Sequence, residues 1–334
     1  MPKVPRHILK RFLPVVWLSI AGIAAWVLVQ RFDEIDFADV MQHLGALPIP
    51  IMVAALLCSA GVYATVGLYE GIAVRIASGR NLRRQAFRTA VISNPVGRAI
   101  GVAMVSGGAL RYRMYAPEGL SIREVGAIIL LVAMPYAFGV GWLIDISLLL
   151  HLADASRAFQ VPVATVAIFG VLGLAKDVGW LAFVAARKQP ITIGGQSIRL
   201  PSLRDALVQI AFGVVQISLM STILYLFMPP ELNMTWPAFV AIYCLAFVAG
   251  QMSNVPVGLG VLEAALFLML PHVPPGKLVA AVLAYRAVYE LLPLMCALLL
   301  LLIYETTNPA GIVRRKTKSR LKPDENLKTS NSSR

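Results

Sequence analysis

The sequence predicts an all-α fold: a polytopic integral membrane helical bundle with six full spans and two broken or re-entrant helical regions. Three observations carry that expectation. Of the 334 residues only 14% are charged and 58% are apolar, against about 25% charged in soluble domains, and the mean hydropathy is +0.74. Apolar runs of about 20 residues, the length a helix needs to cross ~30 Å of hydrocarbon, recur along the chain. Finally, two apolar regions are interrupted by glycine, proline and asparagine, which a membrane tolerates only where the backbone faces protein or water.

A basic segment, residues 1–11, leads into a transmembrane domain, residues 12–305, and a polar, basic tail, residues 306–334. The spans are read at 12–30, 49–69, 125–144, 163–186, 206–228 and 278–304. The first run has full spanning length and no small-residue cleavage pattern after it, so it reads as an anchor and not a signal peptide. Between the first two spans, Ile35, Phe37, Val40, Met41 and Leu44 suggest a short interfacial helix. The broken regions are 89–110, interrupted by Asn94, Pro95, Gly97, Arg98 and Gly101, and 238–270, interrupted by Ser253, Asn254, Pro256, Gly258 and Gly260. Length favours a hairpin over a pair of crossings in the second. The tail is expected to be disordered and drawn to anionic lipid.

The net charge of +13 is not spread evenly. With the N-terminus inside and both broken regions returning to their own side, 24 of the 30 Lys and Arg fall on the cytoplasmic side and only Arg31, Arg157 and Lys277 outside. That is the positive-inside pattern. It places both termini in the cytoplasm and assigns the basic surplus to membrane orientation rather than to nucleic acid. Arg98, Lys176 and Arg286 remain within apolar segments.

The chemistry-bearing residues cluster around the broken regions. Arg111, Tyr112 and Arg113 follow the first; arginine grips phosphate through a planar fork and tyrosine suits a wet boundary, so a phospholipid head group could bind there. Plain positive-inside anchors would look the same. In the second region Gly258 and Gly260 precede Glu263 in the first turn of a helix, where a carboxylate is either a local cap or a functional acid at membrane depth. Arg286 and Glu290 stand four apart on one helical face, a structural ion pair or a substrate contact. Lys176 and Asp177 point about 100° apart and need different partners.

Asn94 and Asn254 belong to an internal echo. Ser93-Asn94-Pro95-Val96-Gly97 resembles Ser253-Asn254-Val255-Pro256-Val257-Gly258, as an inverted repeat would leave it, or as chance would. Cys58, Cys244 and Cys296 lie in apolar runs, and His7, His43, His151 and His272 lie near termini or loops, with no metal-ligand spacing. No P-loop occurs. No cofactor, no metal and no enzyme activity are expected.

The stretch FRTAVISNPVGRAIGVAMVSGGALRYRMYAPEGLS (87–121), followed in order by PVGLGVLEA and AYRAVYELLP within 249–293, resembles the signature blocks of the lysylphosphatidylglycerol synthase/flippase transmembrane domain family, in its stand-alone YbhN-like branch. The resemblance covers residues 10–305. It implies the fold of the flippase half of MprF-type proteins and the movement of phospholipid, with an anionic or lysylated head group, across a bacterial inner membrane. The soluble aminoacyl-transferase domain of the full-length relatives is not expected here, since only a short polar tail follows the last span. Pro95 stands where a second asparagine is frequent, and Val257 where glycine or alanine is common. The expected function is a lipid translocase or phospholipid-binding transporter; a non-transporting scaffold and an ion-coupled solute carrier are the alternatives.

Overall fold

A computed structural model describes residues 37–100, 103–159, 161–186, 191–193, 196–198, 200–253, 255 and 258–307, together with Gly22 and Trp26. The expected first span and the basic tail therefore lie outside the described residues. What is described is helical, apart from a two-stranded hairpin, β1 (Ile191–Ile193) and β2 (Gln196–Ile198), in the loop before α8.

A nine-residue helix, α1 (Phe37–Gly45), comes first. It covers most of the segment expected to form a short helix: Val40 is buried while Met41 is exposed, so one face of the helix packs on protein. Next comes α2 (Ile49–Ser78), 30 residues long, which runs past the expected boundary at residue 69 and takes Glu70 into the bundle. It stops at Gly79, whose φ of 71° closes the last turn with a backbone N–H to Arg75 O. Then α3 (Arg83–Ala99) and α4 (Ala103–Tyr115) pack against each other as a hairpin. The sequence marks the interruption of this region from Asn94 to Gly101. The helix carries the first of those residues and continues to Ala99, because Pro95 removes one N–H without ending the ladder: Ile100 N–H still reaches Val96 O at 3.3 Å.

The long helix α5 (Ile122–Leu150) opens with a reciprocal cap, Ser121 Oγ accepting from Glu124 N–H and Glu124 accepting from Ser121 N–H. Beyond it lie α6 (Leu152–Phe159), α7 (Val163–Ala186) and α8 (Leu203–Phe227). A second hairpin follows, α9 (Trp236–Met252) and α10 (Val261–Met269). The last span is α11 (Pro275–Arg286), a five-residue π turn (Ala287–Leu291) and α12 (Leu292–Thr307). Five segments, α2, α5, α7, α8 and α11–α12, are long and apolar enough to cross a membrane. They correspond to five of the six expected spans. The arms α9 and α10 are 17 and nine residues long, about 25 and 13 Å, and pack against each other as a hairpin.

Contacts at the helix ends fix how these parts are arranged. Arg75 at the end of α2 meets Asp205 at the start of α8, Arg113 of α4 meets Glu305 of α12, and Gln85 of α3 donates to Met114 O of α4. The mouth of the first hairpin and the basic loops thus share one end of the bundle. At the other end His43 contacts Phe227 O, His272 contacts Leu232 O and Lys277 donates to Glu231, whose carboxyl its ammonium holds below the ordinary range. The two hairpins therefore enter from opposite ends.

Leu57, Phe169, Leu172, Leu299, Leu302 and Ile303 stand exposed on the outer surface, a distribution that suits hydrocarbon and not water. Inside, α5 and α8 cross at Gly139 and Gly213, where a Cβ on Gly213 would stand 1.8 Å from Pro135 O. Backbone cannot yield as a side chain does. Gly213→Ala is expected to destabilise the protein by about 2–3 kcal/mol, whereas Gly71→Ala, which meets open space, leaves stability unchanged or slightly raised. Thermal denaturation of the two variants in one detergent checks this.

Candidate functional site

The tips of the two hairpins come together at an irregularity in the last span. Between α11 and α12 the helix widens into a π turn, and the carbonyls of that turn accept bonds from α2: Ser59 Oγ donates to Val288 O at 3.1 Å and Tyr63 Oη to Tyr289 O at 3.2 Å. Such wide turns persist where outside donors satisfy the backbone, and they concentrate at functional sites.

Four ionised side chains converge here. Arg286 donates through Nε to Glu263 Oε1 at 2.7 Å and through Nη1 to Glu290 Oε2 at 2.9 Å, and its Nη2 lies 3.5 Å from Gly258 O. The second oxygen of Glu263 accepts the N–H of Gly260 at 2.9 Å. Arg98, from the first hairpin, reaches the other oxygen of Glu290 at 3.2 Å, donates to the Tyr289 hydroxyl, and holds its guanidinium 4.5 Å from the centre of that ring. Each of the four side chains is less than a fifth exposed. Two positive and two negative charges leave the group neutral overall, the condition for placing it at membrane depth.

Beside this quartet lies a cavity of 160 Å³. Arg98, Arg286, Glu290 and Tyr63 line it together with the apolar Pro95, Leu291 and Leu294. Leu291 is 57% exposed on the outer surface, so the apolar lining continues to the periphery of the bundle. A ring of tyrosines backs the site. Tyr289 lies 6.1 Å from Tyr63 and 5.3 Å from Tyr285, whose hydroxyl pairs with that of Tyr243 at 2.8 Å.

Glycine is required at the tip of the second hairpin. Gly258 and Gly260 have φ of 62° and 80°, and a Cβ on Gly258 would stand 3.0 Å from Gly250 Cα. These turns aim Gly260 N–H at Glu263 and Gly258 O at Arg286. Of the residues expected from sequence, the fold thus brings together Glu263, Arg286, Glu290, Gly258 and Gly260.

The others stand elsewhere. Arg111 is 6% exposed, not at an aqueous mouth: its Nε and Nη2 clasp both oxygens of Glu70 at 3.0 and 2.9 Å, and Tyr115 Oη donates to the same carboxylate at 2.9 Å. The cause is Glu70, a fully buried anion that nothing but a two-point partner could neutralise. Arg113 is exposed and pairs with Glu305 at 2.6 Å; Tyr112 is half-buried against the core; Asn94 is half-buried on α3. Asn254 lies outside the described residues.

Sequence reasoning left out Arg98, Tyr63 and Glu70. Arg98 had a signal, a lone cation in an apolar run; Glu70 stood one residue beyond the drawn end of its span; Tyr63 gave none.

Comparison with known proteins follows this geometry. An uncharacterized protein of Synechocystis sp. is 31% identical over 230 residues, 68% of this chain and 71% of that one. The inner membrane protein YbhN of Escherichia coli is 28% identical over 87% of this chain and 92% of its own length. The chain belongs to this YbhN-like family. The family reaches further: a phosphatidylglycerol lysyltransferase of Staphylococcus haemolyticus is 22% identical over 87% of this chain but over only 33% of its own length. No family model matches the chain.

The Glu70–Arg111 clasp is a clean object for measurement. Arg111→Met alone is expected to cost about 3–5 kcal/mol, because it strands Glu70. Adding Glu70→Leu should recover part of that loss. A double-mutant cycle read by thermal denaturation in detergent tests the coupling.

Proposed function

We propose that this membrane protein is a phospholipid translocase, or a phospholipid-binding transporter, of the bacterial inner membrane, and not an enzyme. The observation that carries the reading is the cavity beside the quartet, whose lining joins Arg98, Arg286 and Glu290 to Pro95, Leu291 and Leu294. A phospholipid needs both surfaces at once: a polar recess for the head group and a hydrocarbon flank along which its tails stay in the bilayer.

The quartet supports a particular head-group chemistry. Arg98 and Arg286 both bind Glu290. A phosphate arriving between the two guanidiniums would replace Glu290 as their common acceptor. Glu290, released, would then face a cation, which an amine-bearing head group supplies. A zwitterionic phospholipid with one amine therefore exchanges one neutral set of contacts for another; a lysylated one brings a second ammonium and so one extra positive charge, while a head group lacking the amine leaves a carboxylate unpaired. That one distant relative is a phosphatidylglycerol lysyltransferase supports a phospholipid as the ligand.

Hairpins entering from opposite ends give such a site two approaches, and movement of either hairpin would open one of them. The positive-inside bias assigns the basic end to the cytoplasm, and the name of the Escherichia coli relative supports the inner membrane. That the quartet is internally complete favours a second reading, a scaffold in which the charges only pin helices together.

Transport of fluorescent phospholipid in proteoliposomes separates the two. On the translocase reading, Arg98→Ala and Glu290→Gln lower the rate at least about tenfold, as loss of charge-assisted contacts does, while Arg113→Ala, outside the cavity, moves lipid at the parent rate. Parent-like transport by correctly inserted Arg98→Ala and Glu290→Gln proteins would refute it. On the scaffold reading the same variants lose thermal stability, and added lipid restores none of it.

A further inference from the structure

A second set of charges lies at membrane depth between α5 and α7, remote in sequence from both hairpins. Asp145 of α5 is 7% exposed and Asp177 of α7 is wholly buried. Lys176 Nζ stands 3.0 Å from Asp177 Oδ1 and 3.9 Å from Asp145 Oδ2. Beyond that ammonium the carboxylates have little: Asp145 Oδ2 and both oxygens of Asp177 lack hydrogen-bond partners.

The two helices are shaped for this meeting. A Cβ on Gly173 would stand 2.0 Å from Asp145 Oδ1, and one on Gly141 would stand 3.2 Å from Lys176 Nζ and 3.3 Å from Asp177 Oδ2. Gly141 precedes Asp145, and Gly173 precedes Asp177, by four residues, so each helix presents a notch and a carboxylate on one stripe. Each acid fits the other helix's notch.

Charge counting decides the occupant. Two carboxylates and one ammonium leave a single surplus negative charge in an apolar slab, and one monovalent cation cancels it. A hard metal ion would ask for about six oxygen ligands; among the described residues, no group of three or more His, Cys, Asp and Glu side chains is placed to hold a metal. A proton needs only one oxygen. We propose that Asp145 and Asp177 form an intramembrane proton-binding pair in which Lys176 neutralises one carboxylate and a proton the other.

Among the described residues no further charge enters the balance. The charged groups acting on Asp145 are Lys176 and Asp177. On α8, Arg204 and Asp205 lie in the first turn and Tyr225 is committed to Met234 O; on α9, Tyr243 is paired with Tyr285. On α2, Glu70 is held by Arg111 of α4, and Arg113 of α4 meets Glu305. His151 and the ionisable residues of α6 follow Asp145 along the chain by more than a helical turn. The pair can therefore gain or lose a proton without disturbing the quartet, which would let a proton gradient act on the helix carrying it.

Infrared difference spectroscopy of the full-length protein in nanodiscs reads the proton directly, whatever lipid the cavity takes. At neutral pH the parent is expected to show a protonated-carboxyl band that Asp145→Asn or Asp177→Asn removes. Lys176→Met alters a side chain that is 60% exposed, so little packing is lost; without the ammonium both acids must be protonated, and the band should grow roughly twofold. A parent without such a band overturns the assignment, as does a Lys176→Met protein with no increase. Loss of the band when sodium replaces choline would show a metal cation in the proton's place and also overturn it.

Discussion

A bilayer supplies no water to its interior, so a charge carried into it must meet a counter-charge from another part of the chain or a bound partner. The architecture of this protein follows from that constraint more than from apolar packing, which in hydrocarbon discriminates weakly among arrangements. Glu70 of α2 cannot stay buried unless α4 delivers Arg111, so the first hairpin is pinned to the bundle by two parallel bonds. Arg286 cannot stay buried unless α10 delivers Glu263, which pins the second. Arg98 and Glu290 then tie the hairpins to each other. Helices supply the walls, and ion pairs supply the address of each wall.

How much of this can be read from sequence depends on whether a partner is local. The spans announce themselves by length and apolarity, and five of the six drawn from sequence reappear as helices of spanning length. The Arg286–Glu290 pair is legible because four residues is one turn, and Glu263 because glycines precede it in a first turn. Glu70 is not legible: its acid closes an apolar run and its base lies 41 residues on. That same distance explains why Arg111 reads as a lipid-facing cation and proves to be an interior one. The π turn is legible least of all, since its residues contain neither glycine nor proline and its cause, two hydroxyls on α2, lies more than 220 residues upstream.

The first broken region is legible only as a stretch. Of the residues that mark its interruption, Asn94, Pro95, Gly97 and Arg98 are carried as helix by α3, which ends at Ala99, before Gly101. Were the chain to turn at Pro95, Arg98 would fall on the return arm and away from Glu290. One further turn of helix carries the guanidinium to the tip. Local breakers mark where a helix is weakened; the tertiary contact decides where it ends.

The wide turn in the last span has a geometrical effect of its own. It acts as a one-residue insertion, so everything after it is out of phase by about 100° with an uninterrupted helix. That offset lets a single continuous segment show two unrelated faces: Arg286 and Glu290 toward the interior, then Leu298, Leu299 and Leu302 outward. Beyond the turn the helix is open on nearly every side, with Ala297 as its buried residue. A register defect thus marks where the segment passes from an interior strut to an outer one.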